Sequence, residues 1–339
     1  MKTYYSLILA AIASGALAHG AATAYTTPVG YITHSIAGAG ANPSADTYIS
    51  PSLINAVEYA GASTASPSGG AVITLPTGVP TTFNGTYVLE ITSPASEGWW
   101  STVVSSNATS ITVSDNFPAS LPTNVTISVK KHSTITTFLG FNTPGLIPYN
   151  GVDPNDEVQF FDPIGQAAIT FVFVTAADWG DPTNYPNGVW YNLGTGNPEN
   201  NTIIEPGTSV RIKRVGSTAL TFVSTGTVKT TKTQVDIYPG FNFVGVPKAA
   251  VGTLGNLNFA PQLYQYDGVT TDYDELQKVA ADQSASSFGA IDDGGPVMWN
   301  IGASDYATNE PFQEGTGLLL KRVGHPSSTI TLNGSVVAP

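Results

Sequence analysis

Residues 189–228 read VWYNLGTGNPENNTIIEPGTSVRIKRVGSTALTFVSTGTV, and residues 297–336 read VMWNIGASDYATNEPFQEGTGLLLKRVGHPSSTITLNGSV. The stretches align without a gap at a constant offset of 108, matching at Asn192/Asn300, Gly194/Gly302, Gly207/Gly315, Thr208/Thr316, Lys213/Lys321, Arg214/Arg322, Gly216/Gly324 and Gly226/Gly334. A gap-free register of this length marks two copies of one structural unit. Each stretch divides into a strand to Gly194 or Gly302, a polar excursion, a strand through Arg214 or Arg322, a glycine turn, and a last strand. That pattern predicts a three-stranded meander in each copy.

Working outward, Phe138-Leu-Gly-Phe-Asn and Tyr238-Pro-Gly-Phe-Asn read as openers of the two units, each followed by an aromatic run (Val158-Gln-Phe-Phe-Asp and Leu263-Tyr-Gln-Tyr-Asp). Asp272–Gln283 is the one exception to the strand pattern. Leu276, Val279 and Ala280 at helical spacing behind acidic residues predict a short helix there. Upstream, Val29 to about Tyr59 predicts two strands and Ala60–Gly70 a linker or long loop, and β-branched stretches between Ala71 and Lys131, broken at Pro94, Ser106-Asn107 and Asn116-Phe117-Pro118, predict a small β-meander or barrel. The expected organisation is all-β. A signal peptide spans 1–24, an N-terminal β-domain 25–133, and two homologous β-sandwich-like repeats 134–232 and 233–339.

Composition narrows the function classes. Apolar residues make up 41% and charged residues 11%, with 35 Gly and 24 Pro, the profile of short strands joined by many turns. Twelve basic against 24 acidic residues leave a net charge of -12, and no Lys/Arg run exists to follow a phosphate backbone, which argues against nucleic acid and anionic lipid. Lys2, the apolar run Leu7 to Ala18, and an A-x-A site at Ala16–Ala18 or Ala22–Ala24 read as a Sec-type signal, so export to the extracellular space or cell surface is expected. No stretch is long enough for a transmembrane helix. With no cysteine there is no disulfide framework, which suits a bacterial exporter.

Motifs for nucleophilic, zinc or nucleotide chemistry are missing, and the histidines His34, His132 and His325 are isolated in sequence. No enzyme is expected. Acidic groups at Asp153, Asp156 and Glu157 and at Asp292 and Asp293 fall in turn-forming stretches; they read as turn formers, with Ca²⁺ ligation as the alternative, and no other cofactor is implied. Trp100, Trp179 and Tyr185 are the residues that would stack on sugar rings if the chain binds carbohydrate. Trp190 aligns with Met298 and Trp299 with Tyr191, a swap that suits core filling. The repeated Lys-Arg pair reads as a solvated strand end, with pairing to a carboxylate of the other copy as the alternative. Acidic positions such as Glu205, matched by Gln313, differ between the copies and suggest that shape was kept in place of charge.

The motifs Thr27-Pro-Val-Gly-Tyr, Asp46-Thr-Tyr-Ile-Ser, Val88-Leu-Glu-Ile-Thr-Ser with Glu97-Gly-Trp, Lys131-His-Ser-Thr and Glu314-Gly-Thr-Gly make the chain resemble an uncharacterised family of secreted, paralogue-rich β-proteins of Verrucomicrobia-like bacteria. That resemblance implies export and brings no catalytic residues with it. The sequence therefore points to a non-catalytic structural or adhesive module, whose partner is an extracellular or cell-surface polymer. Carbohydrate binding is the alternative, a glycan-active enzyme comes third, and self-association is compatible with exposed repeat edges.

Overall fold

The computed structural model describes residues 29–141, 145–249, 251–269 and 272–334. The expected signal segment lies outside these. The chain is all-β and antiparallel throughout its named strand pairs, and among the described residues no helix is long and apolar enough to cross a membrane.

Two six-stranded sheets correspond strand for strand. The first runs Asn197–Pro198, Val189–Asn192, Ala167–Val174, Glu157–Asp162, Val210–Arg214, Ala45–Ile49 from edge to edge. The second runs Asp305–Tyr306, Pro296–Asn300, Ala285–Asp292, Asp274–Val279, Gly317–Arg322, Gly240–Gly245. Against each lies a long pairing: Val29–Ile36 with Leu220–Val228 in the first unit, Thr233–Ile237 with Ser328–Leu332 in the second. Alternation fills the space between the layers, as in Val210–Arg214, where Val210, Ile212 and Arg214 are buried on one face while Arg211 and Lys213 on the other are half-buried. Ile36, Phe138, Phe171, Trp190, Ile212 and Phe222 form the first core; Leu254, Phe288, Met298, Leu320 and Ile330 belong to the second.

The domain boundaries differ from those read along the sequence. Strands Val29–Ile36 and Ala45–Ile49 belong to the first repeat, pairing in unbroken register with Leu220–Val228 and Val210–Arg214. They occupy the places that Thr233–Ile237 and Gly240–Gly245 hold in the second. The first repeat is thus split, and residues 57–131 are inserted within it. Consequently Tyr238-Pro-Gly-Phe-Asn corresponds to the segment joining Val29–Ile36 to Ala45–Ile49, not to Phe138. Phe138 lies instead in a one-turn helix, Ile135–Leu139, started by a Thr134/Thr137 capping box. Its counterpart is the 3₁₀ turn Leu254–Leu257 behind Thr253 and Asn256.

Two further expectations fail. Val189–Asn192, Val210–Arg214 and Leu220–Val228 do not form a meander; each pairs with strands from elsewhere in the unit. Asp272–Gln283 holds no helix but the strand Asp274–Val279. Its acidic start is used by the ladder, with Asp274 opposite Arg322 and Glu275 opposite Lys321, which no isolated helix would satisfy.

The inserted unit orders its strands Val57–Ala62, Thr126–Lys131, Tyr87–Ile91, Trp100–Asn107, Ser110–Val113, Val72–Thr74. Bulges at Val57/Tyr59 and Val103/Ser105 curl the sheet, and Thr64 N–H reaches Thr74 O at 2.9 Å, linking its two edges. Every residue of Tyr87–Ile91 is buried. Tyr87, Leu89 and Ile91 fill the unit's own core; Val88 and Glu90 point to the other face, which the repeats cover.

The repeats meet about a pseudo-two-fold axis. Ser50 N–H donates to Gly315 O and Gly245 N–H to Gly207 O, both at 2.8 Å, and bridges join Ile49 to Thr316 and Val244 to Thr208. Each contact is the other's counterpart, which is the signature of an isologous interface.

Candidate functional site

The charged groups kept in both copies are structural. Arg214 Nη1 meets Asp156 Oδ2 at 2.5 Å, and Arg322 binds Asp274 in a fork, Nε to Oδ1 at 2.9 Å and Nη2 to Oδ2 at 2.6 Å, all buried. Lys213 pairs with Glu157 at 3.0 Å, and Lys321 lies opposite Glu275. The two arginines and Lys213 are therefore neither solvated ends nor links to the other copy, each finding its acid within its own sheet; Lys321 is half-buried and forms no ion pair among the described residues.

This arrangement accounts for the acidic residues suspected of binding Ca²⁺. Besides Arg214, Asp156 accepts the N–H groups of Ile147 and Val215 at 2.9 and 2.8 Å. Asp153 accepts from Asn150 Nδ2 at 2.8 Å, Asp292 from Gly295 N–H at 3.0 Å, and Asp293 from the Tyr306 hydroxyl. The structure does not gather them, and among the described residues no three His, Asp or Glu are placed to share a cation.

Of the three suspected sugar-stacking residues, two come together and the third stands apart. Trp179 and Tyr185 meet edge to face at 6.0 Å, and with Tyr149 and Tyr191 they cover Val172, Val174 and Val189. Both lie in the stretch by which the first copy exceeds the second: Asp156 and Arg214 are 58 residues apart, Asp274 and Arg322 only 48. Trp100 stands elsewhere, in the wall of a cleft where all three units meet. Trp190 is core, as its alignment with Met298 implied.

That cleft encloses about 650 Å³. The inserted unit contributes Trp99, Trp100 and Asp115; the first repeat Phe160, Phe161, Asp162 and Glu205; the second Asp236, Tyr238 and Phe243. Phe161 and Phe243 stack across the repeat boundary with centroids 5.0 Å apart. Trp100 Nε1–H donates to Gln234 O at 3.0 Å and Gln234 N–H to Gly98 O at 3.0 Å, tying the inserted unit to the second repeat at the cleft.

A buried clasp holds the same junction. Glu90 of the inserted unit receives Lys130 of its own sheet, Lys229 from the segment linking the repeats, and the Thr231 hydroxyl at 2.7 Å. Burial alone would raise the Glu90 carboxyl, but the charges and hydrogen bonds of Lys130 and Lys229 outweigh it and bring it to about 2. Burial brings Lys229 down to about 8, against the pull of Glu90.

Four carboxylates face the cleft, and its lining contains no Lys, Arg or His. Asp115 accepts from Ser101 Oγ at 2.7 Å, Asp162 from the N–H groups of Ile164 and Gly165 at 2.9 and 3.0 Å, and Asp236 from Thr329 Oγ1 at 2.6 Å. Glu205 has an exposed surface, yet the walls around its carboxyl strip enough water to raise it; Asp115, Asp236 and Asp162 push the same way. The Tyr238 phenol is raised by burial and then by Asp236, Glu205, Asp115 and Asp162. The four acids thus share one electrostatic field.

Across the pseudo-two-fold axis this chemistry is absent. The position of Glu205 is taken by Gln313, that of Asp162 by Ala280, and that of Asp236 by Ser35. Phe160 and Phe161 correspond to Lys278 and Val279. The Arg214–Asp156 and Arg322–Asp274 pairs recur in both copies, whereas Asp162, Glu205, Asp236, Phe160 and Phe161 occur in one; Phe243 has an aromatic counterpart, Tyr48. Sequence reading registered the Glu205/Gln313 difference and took it as indifference to charge. Asp115, Asp162 and Asp236 went unmarked, although residues 133–210 hold no Lys or Arg at all.

Fold and site together define an all-β protein of two units with matching strand order and an inserted third, with an aromatic, acidic cleft between them. No protein-family model matches the chain, and no curated protein and no solved structure matches it.

Proposed function

We propose that this is an exported, non-catalytic binding protein of adhesive or structural type, which holds an extracellular polysaccharide in the cleft between its three units. The observation that carries this reading is the asymmetry of the duplication: Phe160, Phe161 and the carboxylates collect on one side of the pseudo-two-fold axis and not on the other. Aromatic faces stack on the apolar faces of sugar rings, and carboxylates accept from sugar hydroxyls, which is the usual division of labour in a saccharide site. A volume of about 650 Å³ falls within the range of sites that enclose small ligands. Export rests on the N-terminal pattern and on the resemblance to secreted β-proteins.

Glycan-array binding of the exported chain tests the proposal, with Phe161→Ala as the matched variant. The expected result is binding to a restricted set of saccharides that the variant loses. An array bound by neither protein, or bound equally by both, would remove the cleft from consideration. Release of reducing ends from a bound glycan, abolished in Glu205→Gln, would replace the non-catalytic reading with glycoside hydrolysis.

A further inference from the structure

We infer that the cleft selects saccharides carrying protonated amines, that is, oligomers of 2-amino sugars whose nitrogen is not acylated. The inference rests on the saccharide-binding reading above and adds the sign of the ligand's charge. Three observations support it. First, the lining is single-signed: Asp115, Asp162, Glu205 and Asp236 face one cavity, and among the described residues none of the four forms an ion pair with a Lys or Arg. The acids buried in this protein's interior, Asp156, Asp274 and Glu90, each have their own cation, whereas the four cleft acids stand unpaired on its exposed or half-exposed walls. Second, the Glu205 carboxylate accepts from no donor among the described residues, Thr208 binding only its backbone carbonyl, so at least one carboxylate keeps its full accepting capacity for a guest. Third, the positions equivalent to Asp162, Glu205 and Asp236 in the other copy are neutral, so the scaffold does not require those three charges.

Like charges converging in a walled cleft repel one another, and a cationic guest relieves that repulsion while an anionic one adds to it. The guest must also present flat apolar faces, because Trp99, Trp100, Phe161 and Phe243 wall the same space. A simple metal ion meets only the charge requirement, and a neutral glycan only the stacking requirement. A polymer of amino sugars meets both, with amines recurring along the chain to match carboxylates supplied by all three units.

Titration calorimetry on the full exported chain decides the matter with three pentamers: β-1,4-linked glucosamine, the same sugar fully N-acetylated, and lysine, at a pH where the amines are protonated. The glucosamine pentamer should bind at least about tenfold more tightly than its N-acetylated form, and added salt should weaken it. Asp162→Asn and Asp236→Asn retain the acceptor oxygen used within the fold, so each should melt like the parent while losing roughly two- to fivefold in affinity, the scale of one partly solvated ion pair. Equal affinity for the two sugar pentamers would overturn the charge selection and leave the saccharide cleft standing. Binding of pentalysine without either sugar would overturn both, as would binding of none of the three.

Discussion

Acid should loosen the contact between the two repeats, and His34 is the place to measure it. Its ring is 2% exposed, stacked on Phe222 at 4.6 Å and edge-on to Phe138 at 5.2 Å, with Nε2 against Ser224 Oγ at 2.9 Å. Nδ1 finds no partner among the described residues, and the ring packs on the Gly315 turn of the second repeat. Burial brings the imidazole down from 6.5 to about 4. Because the folded value lies below the unfolded one, protonation favours the unfolded chain. The stability this histidine contributes is complete above about pH 6.5 and is lost as pH falls towards 4, at about 1.4 kcal/mol per pH unit. At pH 5 the loss is about 2 kcal/mol, before most carboxylates titrate. His132, also lowered to about 4 by burial with help from Lys130, adds a similar loss in the same window. The second copy supplies the control, since the place of His34 is taken there by Val235, which packs on Gly207 in the same way. His34→Val should therefore fold, and between pH 7.5 and 5 it should lose about 2 kcal/mol less than the parent in urea titrations. Equal losses in the two proteins would refute the reasoning.

Two further outcomes follow from the interface and the core. Gly207 and Gly315 adopt φ of +79° and +72°, and a Cβ at either would collide with Val235 or His34, so Val at either position should cost at least about 1–3 kcal/mol in thermal or chemical unfolding. Asp274→Asn leaves the Arg322 guanidinium buried without its counter-ion and should cost about 3–5 kcal/mol, while Asp292→Asn, at an exposed turn, should leave the melting temperature unchanged; equal effects would contradict the roles assigned here.

Much of this architecture is written locally and could be read without coordinates. The duplication is legible because its second half preserves spacing residue by residue, and the all-β class because β-branched alternation and turn residues are short-range properties of the chain. The burial of Trp190 follows from its alignment with Met298. The helix expected at Asp272–Gln283 failed because acidic residues before an apolar spacing look the same whether they begin a helix or face cations on a neighbouring strand, and Arg322 lies 48 residues away from Asp274. The Asp-Glu-x-Gln stretch is kept in both copies, at 156–159 and 274–277, but ten extra residues in the first copy shift its offset from 108 to 118 and hide it from a gap-free comparison.

What only the tertiary structure decided is where distant segments meet. Val29–Ile36 joins a strand some 190 residues downstream, as the His34–Ser224 contact shows, so the first repeat closes around an inserted unit that the linear order presents as a separate leading domain. The site depends on the same closure. Asp115, Asp162, Glu205 and Asp236 are unremarkable polar residues in four different turns and strands, each about as common as any other acid in this chain. They become one field only because the insertion brings Trp100 and Asp115 over the boundary between two repeats whose contact is set by backbone hydrogen bonds. Local pattern determines which residues form strands and which faces they bury. Convergence of charge requires the path of the whole chain, which no short-range signal encodes.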